Sequence, residues 1–321
     1  MPSPTSAQSA GPRRPIRAGA GLLLRCVAVW ALAWTPWVSA HAAESASPPA
    51  SEPLSVFVTV LPLVDAVQRI GGDGVRVTPL VRPGQNPHTY EPTPRQVAAL
   101  AKADLYVRLG LPLEDAWLPR IRGTNPRIRI LDARDGLPLR ANDPVHEPDG
   151  ADRHDHDHGA QDTHLWTSPP LVKSIGAAVR DALIALRPAD AATFTANYNR
   201  YAAELDALDA ELRARLAPFK GRAFMVFHPA WGYFADTYGL VQVAVEVQGK
   251  EPGARALAGL IEQARADGIR TILVQPQMSP RAAGQIAAAI GGRVASIDPL
   301  SPDLFATLRQ LADLIAAGDA P

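Results

Sequence analysis
Residues 191–217 constrain the fold of this 321-residue chain more than any other stretch. Phe194, Tyr198, Tyr201, Leu205, Leu208, Leu212 and Leu216 follow one another at steps of four, three, four, three, four and four, which lines a single face of an α-helix. Asp190 stands where a cap is expected, and Pro218 where the helix must stop. At about 1.5 Å per residue the segment makes a rod of roughly 40 Å. A crossover helix inside one lobe needs less, so the segment is read as a stiff strut with a folding unit on either side.

Both flanks carry the alternation of an α/β protein. Before the strut, apolar patterning predicts strands at 54–60, 75–81, 104–109 and 127–131, and helices at 62–70, 94–102, 113–122 and 173–186. After it, strands are predicted at 223–227, 241–245, 271–275 and 293–297, and helices at 230–238, 254–267, 280–290 and 302–316. Asp267-Gly268 and Gly291-Gly292 punctuate helix ends. The predicted fold class is α/β: two βα lobes with mainly parallel sheets joined by a long rigid helix. The first lobe covers 54–166, the helical connection 167–219 and the second lobe 220–321.

Residues 1–42 read as a secretory signal peptide. Arg13, Arg14 and Arg17 precede an apolar run from Cys26 to Val38, and Ala40-His41-Ala42 precedes the expected cut. The run is shorter than the 18 or so residues that argue for a membrane span, so a soluble, exported protein is expected. Residues 43–53, rich in Ser, Pro and Ala, read as a disordered leader. With the signal's arginines gone, Arg25 included, 28 basic residues face 32 acidic ones, a net charge of about −4. Nucleic acid is a poor partner for such a chain. Cys26 leaves with the signal, so neither a disulfide nor a thiolate metal site is available and any metal must be held by nitrogen and oxygen.

Histidine marks the chemistry. Beyond the signal it is confined to His88, His164, His228 and one polar loop, 142–162, where His146, His154, His156 and His158 lie among aspartates. Imidazole is the commonest protein ligand for borderline transition metals, and a His/Asp tract of this density points to auxiliary metal capture. His228 directly follows the predicted strand 223–227, Asp298 follows 293–297, and His88 lies in the loop after a first-lobe strand, where open parallel sheets bind their ligands. His164 closes the polar loop ahead of the helical connection. Two donors thus come from each side of the strut, as expected for a metal in the interlobe cleft. Three imidazoles and one carboxylate make a four-coordinate set suited to Zn2+.

Four segments carry a family resemblance. Asn86-Pro87-His88-Thr89-Tyr90-Glu91-Pro92, Asp162-Thr163-His164-Leu165-Trp166, Phe227-His228-Pro229-Ala230-Trp231-Gly232 and Ile297-Asp298-Pro299-Leu300 resemble, in order, the metal-binding segments of the periplasmic solute-binding proteins of zinc and manganese ABC importers, the cluster A-I family. The resemblance spans nearly the whole chain after the signal. It implies two βα lobes on a long helix, no catalysis, and one divalent ion between the lobes held by His88, His164, His228 and Asp298. It also implies delivery of Zn2+ in the periplasm to a membrane permease with its cytoplasmic ATPase, by a protein that acts as a monomer. The chain has no Gly-x-x-x-x-Gly-Lys-Ser/Thr loop, so that ATPase is a different polypeptide. Manganese-handling relatives often place a carboxylate where this chain has His228. A nitrogen-rich set favours zinc, with Mn2+ or Fe2+ as the alternative cargo.

Plainer readings stand beside these. Asp298 also fits a turn with Pro299 or a helix cap, with a water taking its place on the ion, and the His/Asp tract also fits a solvated loop. Trp166, Trp231 and Tyr233 fit cleft packing, and Glu91 or Asp162 could orient an imidazole. An exported zinc hydrolase would use three histidines and a water, but no His-Glu-x-x-His pattern backs it. A surface adhesin would keep its partner after chelation. Metal binding needs neutral imidazoles, so affinity is expected to fall as pH drops through the histidine range. The stiff strut predicts release by small lobe or loop shifts instead of wide hinge closure.

Overall fold
Short apolar runs punctuated by glycine and proline build two sheets of four strands each. In the computed structural model, which describes residues 52–142, 161–246 and 250–319, the first sheet comprises β1 (Leu54–Val58), β2 (Val75–Pro79), β3 (Leu105–Arg108) and β4 (Arg129–Asp132) in the order β2-β1-β3-β4. The second comprises β5 (Ala223–Val226), β6 (Val241–Ala244), β7 (Thr271–Val274) and β8 (Arg293–Ser296) in the order β6-β5-β7-β8. Every pairing is parallel. The signal 1–42, nearly all of the leader 43–53, and His146, His154, His156 and His158 lie outside the described residues.

Strands covered on both faces must be apolar on both, and the central strands β1, β3, β5 and β7 nearly are, while the edge strands β2, β4, β6 and β8 carry exposed or polar residues. In β1, Val56 and Val58 face one core while Phe57 faces another, with Tyr106, Leu100, Leu118 and Ile121. The latter is roofed by α2 (Pro94–Leu100) and α3 (Pro112–Thr124). The second sheet repeats the arrangement. Phe224 and Val226 of β5 face inward, and Met225 packs outward with Ile272, Leu260 and Ile286 beneath α7 (Ala254–Ala266) and α8 (Arg281–Ile290). The inner faces join in one continuous core that also takes in α1 (Pro62–Gly71), α4 (Pro169–Leu186), α5 (Ala191–Leu216), α6 (Gly232–Tyr238) and α9 (Leu304–Ala316). Among the described residues no helix is long and apolar enough to cross a membrane.

The strut is α5, whose 26 residues span about 39 Å. Phe194, Tyr201, Leu205, Leu208, Leu212 and Leu216 are buried as the spacing predicts, while Tyr198 is half-buried under the Arg180 guanidinium. Ion pairs tie its outer face to both lobes: Arg69 of α1 to Glu204, Lys173 of α4 to Asp206 at 2.7 Å, and Arg309 of α9 to Glu211 at 2.8 Å. Exposed pairs of this kind contribute little singly. The buried leucines carry the attachment.

One helix start departs from expectation by more than two residues, and one expected cap is not made. The helix expected from 173 begins at Pro169, because Pro169 and Pro170 occupy the first turn, where a missing N–H costs nothing. Asp190 does not cap α5 with its side chain. It lies in a 3-10 turn, Pro188–Asp190, with its carboxylate 3.6 Å from Arg187. At the other kind of boundary, Gly291 ends α8 at φ +65°, a left-handed conformation in which a side chain would be strained.

Candidate metal site
Three loops at the carboxyl ends of strands converge on one cleft, and local bonds fix each of them. After β2, Asn86 Oδ1 accepts the N–H of His88 at 2.9 Å, a side-chain turn that bends the loop at the histidine. Gln96 pins the end of that loop: its Nε2 donates to Leu80 O at 2.9 Å, and its Oε1 accepts the Thr93 N–H at 3.0 Å where α2 begins. His164 is held by Asp162, whose Oδ1 accepts both the His164 N–H at 2.9 Å and Nδ1 at 2.7 Å. His228 follows β5 by two residues. Phe227 between them still donates to Leu273 O at 2.7 Å, so the histidine leaves the sheet at a fixed point.

The described structure brings His88, His164 and His228 together, with one donor atom of each within 4.8 Å of the others. Ring centroids are 4.8 to 5.6 Å apart, and His164 Nε2 lies 3.2 Å from His228 Nε2. A tetrahedral zinc ion with bonds of about 2.05 Å separates its donors by roughly 3.3 Å. The His164–His228 pair therefore already stands at coordination spacing. His164 is buried, His228 half-buried and His88 exposed.

Carboxylates decide which ring nitrogens are free. Asp162 takes His164 Nδ1 and Glu246 takes His228 Nδ1, so each imidazole donates its proton there and presents the Nε2 lone pair to its neighbours. Asp162 is itself clamped by Arg140 Nη1 at 2.9 Å, and its backbone carbonyl accepts the Tyr233 hydroxyl at 2.9 Å. Burial raises the Asp162 carboxyl, but His164 and Arg140 outweigh it and hold the group below its ordinary value. Burial pushes His228 down against the pull of Glu246. His88 is pushed down to about 3, first by loss of water on its inner side and then by the facing imidazoles of His164 and His228.

Asp298, the fourth donor expected from sequence, is not in this group. Both of its carboxylate oxygens lie 3.1 Å from Gln277 Nε2, and one also accepts the Leu300 N–H at 2.9 Å, the turn around Pro299. Of the two residues expected to orient an imidazole, Asp162 does so and Glu91 is exposed. Glu246 escaped the sequence reading, although it sits just past the predicted strand 241–245, the position that singled out His228 and Asp298. A cavity of about 20 Å³ lies between the histidines, lined also by Gln275, Gln277 and Met278. Trp166 packs against His164, centroids 5.2 Å apart, and its Nε1 donates to Pro299 O at 2.7 Å, joining loops from the two sheets.

Comparison with known proteins agrees with this architecture. The crystal structure of ZnuA superimposes with a TM-score of 0.76 at 35% identity, over 84% of this chain and 100% of that one. A zinc-bound deletion mutant of ZnuA gives 0.75 at 35% identity, over 84% and 99%. The zinc-binding lipoprotein AdcA of Streptococcus pneumoniae serotype 4 is 30% identical over 257 residues, 77% of this chain and 50% of AdcA. The zinc-binding protein AdcA of Streptococcus pyogenes serotype M3 is 28% identical over 261 residues with the same coverage. The chain thus spans about half the length of these curated streptococcal relatives. Residues 56–318 match the family described as zinc-uptake complex component A periplasmic, ZnuA, and to that family the chain belongs.

Proposed function
We propose that this chain is a periplasmic solute-binding protein that captures Zn2+ between its two lobes and delivers it to the permease of an ABC importer driven by a cytoplasmic ATPase. One observation carries the reading. Two Nε2 atoms stand 3.2 Å apart with their Nδ1 protons committed to Asp162 and Glu246, so two lone pairs face each other. Lone pairs repel unless a cation lies between them. A proton would serve one pair, and His88 completes a trio of nitrogen donors of the kind that holds a divalent metal ion. Asp298 is the charged candidate for a fourth place.

The nitrogen-rich set favours zinc over Mn2+ or Fe2+, and the zinc-binding names of the relatives support the same cargo. In this reading the ion is carried and released unchanged, the protein catalyses no reaction, and it works as a monomer. The test is metal analysis of protein purified without a histidine tag, followed by calorimetry with zinc and manganese in competition. His164→Ala and His228→Ala should each weaken zinc binding by about tenfold or more, since even residues behind the ligands cost that much. Wild-type affinity in both variants would remove the proposal.

A further inference from the structure
Gln275 follows β7 directly and is 5% exposed, and its Oε1 has no hydrogen-bond partner among the described residues. The Tyr201 hydroxyl shares that condition, but it belongs to the strut, under the Arg69 guanidinium. An unmet buried carbonyl costs the fold the hydration that the atom gave up. A fold that keeps one has a use for it when the atom meets something that is not part of the chain. Gln275 lines the same cavity as His88, His164 and His228, and about 20 Å³ is room for one ion or water molecule. Asp298 does not line that cavity and has its oxygens on Gln277 and Leu300.

Charge points the same way. A divalent ion among these imidazoles has its two charges answered by Asp162 and Glu246, which stand directly behind His164 and His228. Arg140 is shared between Asp162 and Asp236, at 2.9 Å from each. A neutral oxygen therefore suffices at the fourth position.

We propose that Gln275 is that fourth donor: its side-chain carbonyl oxygen meets the captured cation and completes a set of three imidazole nitrogens and one amide oxygen. This rests on the reading that the three histidines bind metal. The carbonyl is a weaker donor than a carboxylate, which suits a carrier that must also let go.

Gln275→Met keeps the length of the side chain and removes the oxygen. Measured on the full chain, zinc affinity should fall by about tenfold or more, the metal-free protein should melt at the same or a higher temperature, and the rise in Tm on adding zinc should shrink. Gln275→Glu should bind zinc more tightly and improve relative manganese binding. A merely structural glutamine gives the opposite pattern, a lower Tm without metal and unchanged zinc affinity, and that result overturns the inference. So does a tenfold loss in Asp298→Asn with none in Gln275→Met, which would give the fourth place to Asp298. If Gln275→Met does not fold, unchanged zinc and manganese affinities in Gln275→Glu are sufficient to overturn it. Wild-type binding by His164→Ala and His228→Ala would instead remove the reading beneath, so the two failures are distinct.

Discussion

An imidazole can offer either nitrogen to a metal, and in His164 and His228 a carboxylate makes the choice. Asp162→Asn and Glu246→Gln should each lower zinc affinity about 10–100-fold, read by competition with a chelating dye. No change would mean that the ring orientation is set by packing alone. The depressed values of His88 and His228 alter the pH behaviour expected from sequence. Protons compete for a lone pair only near and below the group's own value, so groups held under 6.5 stay available at greater acidity. Between pH 6.5 and about 5.5 the loss of affinity should be smaller than the roughly fivefold per imidazole that ordinary histidines would impose; calorimetry at the two pH values decides. Metal-free protein should also lose stability as pH falls from 6.5 toward about 3, because the unfolded chain takes up protons there that folded His88 refuses. The histidines were legible in the sequence because each follows a strand or closes a loop. The partners of Asp298 and the isolation of the Gln275 oxygen were not, since both depend on distances between segments that no local pattern records.

At the scale of elements, α5 and its neighbours set the architecture. Leu208 and Leu212 are fully buried between helices, and replacing either with alanine should cost about 2–5 kcal/mol. Arg309→Ala, which removes the exposed pair with Glu211, should cost less than about 1 kcal/mol. Urea unfolding of the metal-free variants checks both, and a larger loss for the arginine than for the leucines would contradict the packing account. The strut and all eight strands could be read from apolar periodicity, because burial on a defined face imposes a period. The start of α4 could not. Pro169 and Pro170 argue against helix everywhere except in a first turn, and whether a turn is the first is settled by what precedes it in space.

At the scale of the whole molecule, one continuous core runs from β1 through the strut to α9, so the two sheets cannot swing apart without exposing it. Uptake and release should therefore proceed through small displacements of the loops that carry His88, His164 and His228. Paired spin labels, one on each lobe, should report the same separation with and without zinc to within about 2 Å, the size of interface shifts that leave packing intact. A large rotation would show that the strut bends. Trp166 gives this rigidity an optical counterpart. Its indole lies against a ligand candidate and is bonded across the cleft to Pro299, so the light it emits should change colour or intensity when cargo arrives, making the molecule its own gauge of occupancy.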